Sequence, residues 1–210
     1  MLLALILTSI SFQLAAPEGS VTHVVTIALQ GSTFIAALWT SQARGLHLRL
    51  ATGAIVLVTL ATAITFAAQG EVDDTGARIS SLLLVAAAPL VIVHGLIRHF
   101  REEGRVTVQT MFGVLCIYLM IGSFFAFLFG VIDELGSTPL FGHDVQGTTS
   151  DYLYFSFTTM TTTGYGDLTA ASDLGRAFAI AEQLIGQIYL VTVVAVIVGN
   201  LGRARPAPSA

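Results

Sequence analysis

The sequence predicts an all-α integral membrane protein, with six transmembrane helices and a short re-entrant helix and loop between the fifth and sixth. Three observations carry that prediction. Apolar residues make up 54% of the 210-residue chain and charged residues 10%, with no lysine, so the mixed charged surface of a soluble domain cannot be built. Six apolar stretches reach or approach the roughly twenty residues that a helix needs to cross a hydrocarbon core. Five of the nine arginines fall in or at the edge of every second connection between those stretches and two more follow the last stretch, the bias that orients spans in a bilayer.

The first stretch, residues 2–16, is short. It also reads as a cleaved signal peptide, with Ala15-Ala16 near a cleavage site, although the basic n-region of such a signal is missing. The second, 21–41, is diluted by Thr26, Gln30, Ser32 and Thr33, which turns one face toward other helices. The third covers 48–68 and the fourth 79–97, where Pro89 introduces a kink that neighbouring helices can re-satisfy. Small residues at Ala51, Gly53, Ala54, Ala86, Ala87 and Ala88 permit close helix approach. A charged connection at 99–105 then divides the chain into a four-span membrane region, 1–105, and a second unit, 106–205. The fifth and sixth spans are 106–132 and 176–201. Between them, 151–160 is too short to cross and reads as a re-entrant helix.

Several function classes lack the residues they need. No nucleophile motif, metal-ligand spacing or phosphate-cradling loop is present, so an enzyme is not expected and no cofactor is implied. His23 and His94 lie alone within spans and read as packed histidines. The single cysteine, Cys116, sits in an apolar span, cannot form an intrachain disulfide and reads as packing. No basic patch offers a nucleic-acid surface.

The most informative stretch is Thr162-Thr163-Gly164-Tyr165-Gly166-Asp167, which follows the Thr-rich end of the re-entrant segment. Selecting a dehydrated K⁺ ion requires rings of backbone carbonyls that replace its hydration shell. A strand whose successive carbonyls point to one side needs residues tolerant of unusual backbone angles, and Gly164 and Gly166 supply them. Thr163 and Tyr165 alternate with the glycines and can brace the strand from behind. The Thr162 hydroxyl adds one more oxygen ring at the inner end.

This hexapeptide resembles the selectivity filter of the tetrameric potassium channels, usually T-V-G-Y-G-D, with Thr163 replacing valine at similar size and branching. The Gly-Gln-Ile-Tyr-Leu run at 186–190 likewise resembles bacterial ion-channel pore proteins. The resemblance covers 106–201 well and 1–105 only in span count. It implies passive K⁺ conduction by a homotetramer in the cell membrane, with ions held by Thr162, Thr163, Gly164, Tyr165 and Gly166. Asp167 and Thr158 would support the filter. No cofactor is implied beyond the K⁺ ions in the filter. Two other readings remain open: a weakly selective cation channel and a non-conducting regulatory membrane subunit. A K⁺ transporter would need four pore repeats in one chain, and there is one.

In that family the filter mouth faces outward, so the resemblance implies that both termini are cytoplasmic. Threading the spans back places Arg44, Arg49, Arg98, Arg101, Arg105, Arg203 and Arg205 inside, and leaves only Arg78 and Arg176 outside. That agrees with the positive-inside rule. The six-span layout resembles voltage-gated channels, yet 79–97 holds no positive charge. Each elementary charge moved across the field is worth about 2.3 kcal/mol per 100 mV, so a sensor needs several of them. Arg98, Arg101 and Arg105 stand at the inner edge among Glu102 and Glu103 and read as anchors.

The sixth span carries the remaining candidates. Gly186 matches the inner-helix hinge of the potassium channels by its distance past the filter; a close-packing glycine reads equally well. Helical spacing from Gly186 puts Gln187, Leu190, Val191 and Val194 along the water-filled cavity expected below the filter. Glu182 is the one acid inside a span, so it should face protein or water and have a partner. The hydroxyls of Thr158, Thr159 and Thr161 are in reach, which would make Glu182 a filter support that couples the inner helix to the filter; an interfacial acid is the alternative.

Overall fold

The computed structural model describes residues 1–17, 19–41, 108–142 and 146–200, with residues 53, 81–83, 85–87, 89, 92 and 93. All of the expected third span but Gly53, most of the fourth, and Arg98, Arg101, Arg105 and His94 lie outside the described residues. Described helices follow in chain order as α1 (Leu2–Ala15), α2 (Ser20–Ser41), α3 (Val108–Leu135), α4 (Thr149–Met160) and α5 (Asp173–Asn200).

Local chemistry sets their ends. Ala16 leaves the helical region at φ −82°, ψ 139°, as a residue before proline must, and α1 stops there. The first turn of α5 begins at Asp173, three residues before the apolar stretch, because the Ser172 hydroxyl accepts the Gly175 N–H at 3.1 Å. Among the described residues one helix, Thr110–Leu135 within α3, is long and apolar enough to cross a membrane; Leu2–Ala15 and Val21–Ala37 are shorter apolar helices.

Helix α3 is the spine. Its first half joins Ile6 and Ile10 of α1 and Phe34 and Ala37 of α2 to Cys116, Ile117 and Met120 in one apolar cluster. On α2, Thr26, Gln30 and Thr33 are buried, so the polar stripe that dilutes this helix faces inward. Gln13 and Gln30 line a cavity of about 30 Å³ with Ser9, Thr33 and Ser123. The second half of α3 forms another cluster, where Phe125, Ala126 and Phe129 pack on Tyr152, Leu153 and Phe155 of α4. Phe155 meets Phe129 and Phe141 edge to face, at centroid distances of 5.1 and 5.4 Å.

Two features bring α4 and α5 onto that spine. Gly122 lets α4 approach: a Cβ there would stand 2.8 Å from the Phe157 ring and 2.9 Å from Met160 Cε. At the far end of α3, Asp133 accepts the Leu140 N–H at 2.6 Å and the Tyr152 hydroxyl, tying the following loop to α4. That loop is strapped across to the segment before α5 by an antiparallel bridge, Phe141 to Ala170, in which the Ala171 N–H donates to the Leu140 carbonyl at 2.7 Å. Tyr189 of α5 donates to the Val114 carbonyl at 2.7 Å and stacks on Tyr118. The three helices thus hold residues 161–172 between two fixed ends.

Candidate functional site

The site begins at the start of α4. Thr148 accepts the Asp151 N–H at 3.2 Å while Asp151 accepts the Thr148 N–H at 3.0 Å, a reciprocal capping box. It starts the helix at Thr149, two residues before the expected 151. The C-terminal end of α4, where unsatisfied carbonyls gather partial negative charge, then points into the loop.

Those carbonyls are taken up by the loop itself. The Thr158 carbonyl accepts two N–H groups, from Thr163 at 2.8 Å and Gly164 at 3.1 Å. Thr162 donates to the Thr159 carbonyl at 2.9 Å. Thr158 therefore supports the loop through its backbone, while its hydroxyl turns back to the Phe155 carbonyl at 3.1 Å. Thr161 and Thr163 share a hydroxyl contact at 2.9 Å.

Within the hexapeptide, φ is positive at Thr162 (58°), Gly164 (52°) and Gly166 (85°), and at neither residue between them. Alternation of left-handed and ordinary backbone angles turns successive peptide planes the same way, which is what a row of carbonyls on one side requires. Glycine takes such angles without steric cost; a β-branched threonine does not. Residues 161–167 are exposed in the single chain.

Asp167 and Tyr165 are held by a residue that the sequence did not single out. The Tyr154 hydroxyl donates to Asp167 Oδ1 at 3.1 Å, and its ring stacks on Tyr165 at 6.1 Å between centroids with 7° between planes. No local spacing announces this pair, because the loop folds back over thirteen residues to make it.

Glu182 is fully buried, which removes the interfacial reading. Its partner is neither Thr158 nor Thr159 nor Thr161. The Ser156 hydroxyl lies 2.5 Å from Glu182 Oε1 and 2.7 Å from the Gly122 carbonyl oxygen. Ser156 and Met160, one turn apart and both fully buried, share the inward face of α4. Thr158 and Thr159 are half-buried and Thr161, past the end of α4, is exposed. One turn along α5, Gly186 lies against the last residue of α4: a Cβ there would stand 2.6 Å from Met160 Cγ and 3.0 Å from its carbonyl oxygen. Gln187 and Leu190 are half-buried, and the side chain of Val194 lies outside the described residues. Ile180, Leu184, Ile188 and Val191 form an exposed apolar stripe along α5.

Residues 113–202 match the family model described as an ion channel, so this segment is similar to an ion-channel domain. The matched segment takes in most of α3, all of α4, the hexapeptide loop and α5, and leaves α1 and α2 outside it. No curated protein and no solved structure matches the chain.

Proposed function

We propose that this chain is the subunit of a K⁺-selective channel of the tetrameric potassium-channel family, conducting passively through a homotetrameric pore in the cell membrane. The observation that carries the reading is the backbone of Thr162–Thr163–Gly164–Tyr165–Gly166, with positive φ at every second residue and its N–H groups braced on the Thr158 carbonyl. Four such strands around one axis supply stacked carbonyl rings at Thr162, Thr163, Gly164 and Tyr165, closed at the inner end by the Thr162 hydroxyl. Cyclic symmetry is the ordinary way to close such a ring, and the exposed apolar stripe on α5 leaves a surface for a neighbouring subunit. In this reading α4 is the re-entrant pore helix between the fifth and sixth of six spans, both termini are cytoplasmic, and Gln187, Leu190 and Val194 line the cavity. The chain is no enzyme and takes no cofactor; K⁺ is its cargo.

Flux through the purified, reconstituted chain tests the proposal. K⁺ is expected to pass and Na⁺ to be excluded, because a ring of carbonyl dipoles matched to K⁺ replaces the hydration shell of Na⁺ poorly. Equal permeability would make it a weakly selective cation channel, and no flux at all a non-conducting regulatory subunit; either result ends the K⁺ reading. Recordings from the same protein in planar bilayers are expected to show open probability nearly independent of voltage, since 79–97 holds no arginine or lysine. A steep dependence, equivalent to several gating charges per subunit, would show that Arg98, Arg101 and Arg105 enter the field.

A further inference from the structure

The carboxyl group of Glu182 meets two other helices at one hydroxyl. Ser156 Oγ stands 2.5 Å from Glu182 Oε1 on α5 and 2.7 Å from the Gly122 carbonyl on α3. A serine hydroxyl has one hydrogen to give, and a backbone carbonyl has none. Two short contacts therefore need a second hydrogen, and Glu182 is the only one of the three groups that can carry it. With an ionised Glu182, one of the two contacts would set bare lone pairs against each other.

The surroundings agree. Glu182 is fully buried, its Oε2 has no hydrogen-bond partner, and among the described residues no arginine or histidine forms an ion pair with it. A buried carboxylate without a cation and with one oxygen unsatisfied is far costlier than the neutral acid. We infer that Glu182 is held as the neutral carboxylic acid and donates to Ser156, which donates in turn to the Gly122 carbonyl, so that one directed chain of hydrogen bonds clasps α5, α4 and α3 together.

The clasp acts on the loop at short range. Ser156 is two residues before Thr158, whose carbonyl holds the Thr163 and Gly164 N–H groups. It is one turn before Met160, on which Gly186 rests. Glu182 is thus a positioning residue: it fixes the depth and rotation of α4, and through α4 the loop. The effect on conduction rests on the channel reading proposed above; the protonation state and the clasp do not.

The experiment uses the full chain reconstituted in lipid, in wild-type form and as Glu182→Gln, Glu182→Ala and Ser156→Ala. At neutral pH the wild type should show the infrared C=O stretch of a protonated carboxyl, absent from Glu182→Gln. Glutamine keeps a neutral N–H donor for Ser156, so Glu182→Gln should retain K⁺ flux and thermal stability close to wild type. Glu182→Ala and Ser156→Ala should each lose roughly tenfold in flux and unfold at lower temperature, because buried polar groups are left unpaired. A wild type without the carboxyl band overturns the inference, as does a Glu182→Gln variant that falls as far as Glu182→Ala, or a Glu182→Ala variant indistinguishable from wild type. If the alanine variants fail to fold, the band and the glutamine variant decide alone. If the wild type carries no flux, the band and the thermal stabilities still decide, so failure of the clasp and failure of the channel reading remain distinct.

Discussion

Gly164→Ala and Gly166→Ala, made singly, are expected to abolish K⁺ flux while the chain still folds and assembles. Both residues have positive φ, 52° and 85°, and a Cβ at either would meet nothing within 4 Å in the subunit. The penalty is thus one of backbone conformation and not of packing. An L-residue in the left-handed region costs about 1–2 kcal/mol, enough for the peptide to turn to ordinary angles and take a carbonyl out of the row. Helices α3, α4 and α5 make their contacts elsewhere and should persist. Gly31→Ala in α2 is the control: its Cβ also meets nothing, φ there is helical, and alanine favours a helix by up to about 1 kcal/mol. Flux from reconstituted protein, beside size-exclusion profiles in detergent, checks the set. A Gly164→Ala or Gly166→Ala channel conducting like wild type would remove the loop from the conduction path.

The two glycines were legible because only glycine takes such angles cheaply, so their spacing in the hexapeptide already specifies a backbone. Thr162 was not legible in this way. A β-branched residue at φ 58° contradicts local preference and is held by its N–H bond to the Thr159 carbonyl, a consequence of how α4 ends. Helix positions followed from hydropathy, but their starts did not. Thr149 and Ser150 are too polar to extend an apolar window, yet Thr148 and Asp151 cap the helix around them. The setting of Glu182 inside an apolar stretch demanded a partner but left an interfacial acid open, and its burial closes that alternative. Which partner it takes was not legible, since Ser156, Thr158 and Thr159 all offer a hydroxyl within about one turn of α4 and only the packing leaves Ser156 fully buried. Tyr154 was missed because its bond to Asp167 exists only once the loop has folded back.

Gly186 separates two roles that the sequence left equal, and Gly186→Ala is expected to decide for close packing. A Cβ at this position would lie 2.6 Å from Met160 Cγ and 3.0 Å from the Met160 carbonyl oxygen, with Met160 itself fully buried. Neither atom is the free end of a flexible side chain, so α5 must move off α4, at a cost of about 1–3 kcal/mol. A glycine kept only for bending predicts the reverse sign: alanine stiffens the helix and favours it by up to about 1 kcal/mol. Met160→Ala makes the distinction sharper. Alone it should cost about 2–5 kcal/mol by opening a cavity at the end of α4. In the double variant the new methyl partly fills that cavity, so the combined loss should fall short of the sum by about 1 kcal/mol or more. Unfolding of the four proteins in detergent gives the energies, and flux shows whether the displaced helix still supports the loop. Additive energies, with Gly186→Ala more stable than wild type and only its opening slowed, would assign Gly186 to a hinge and leave the Met160 contact incidental.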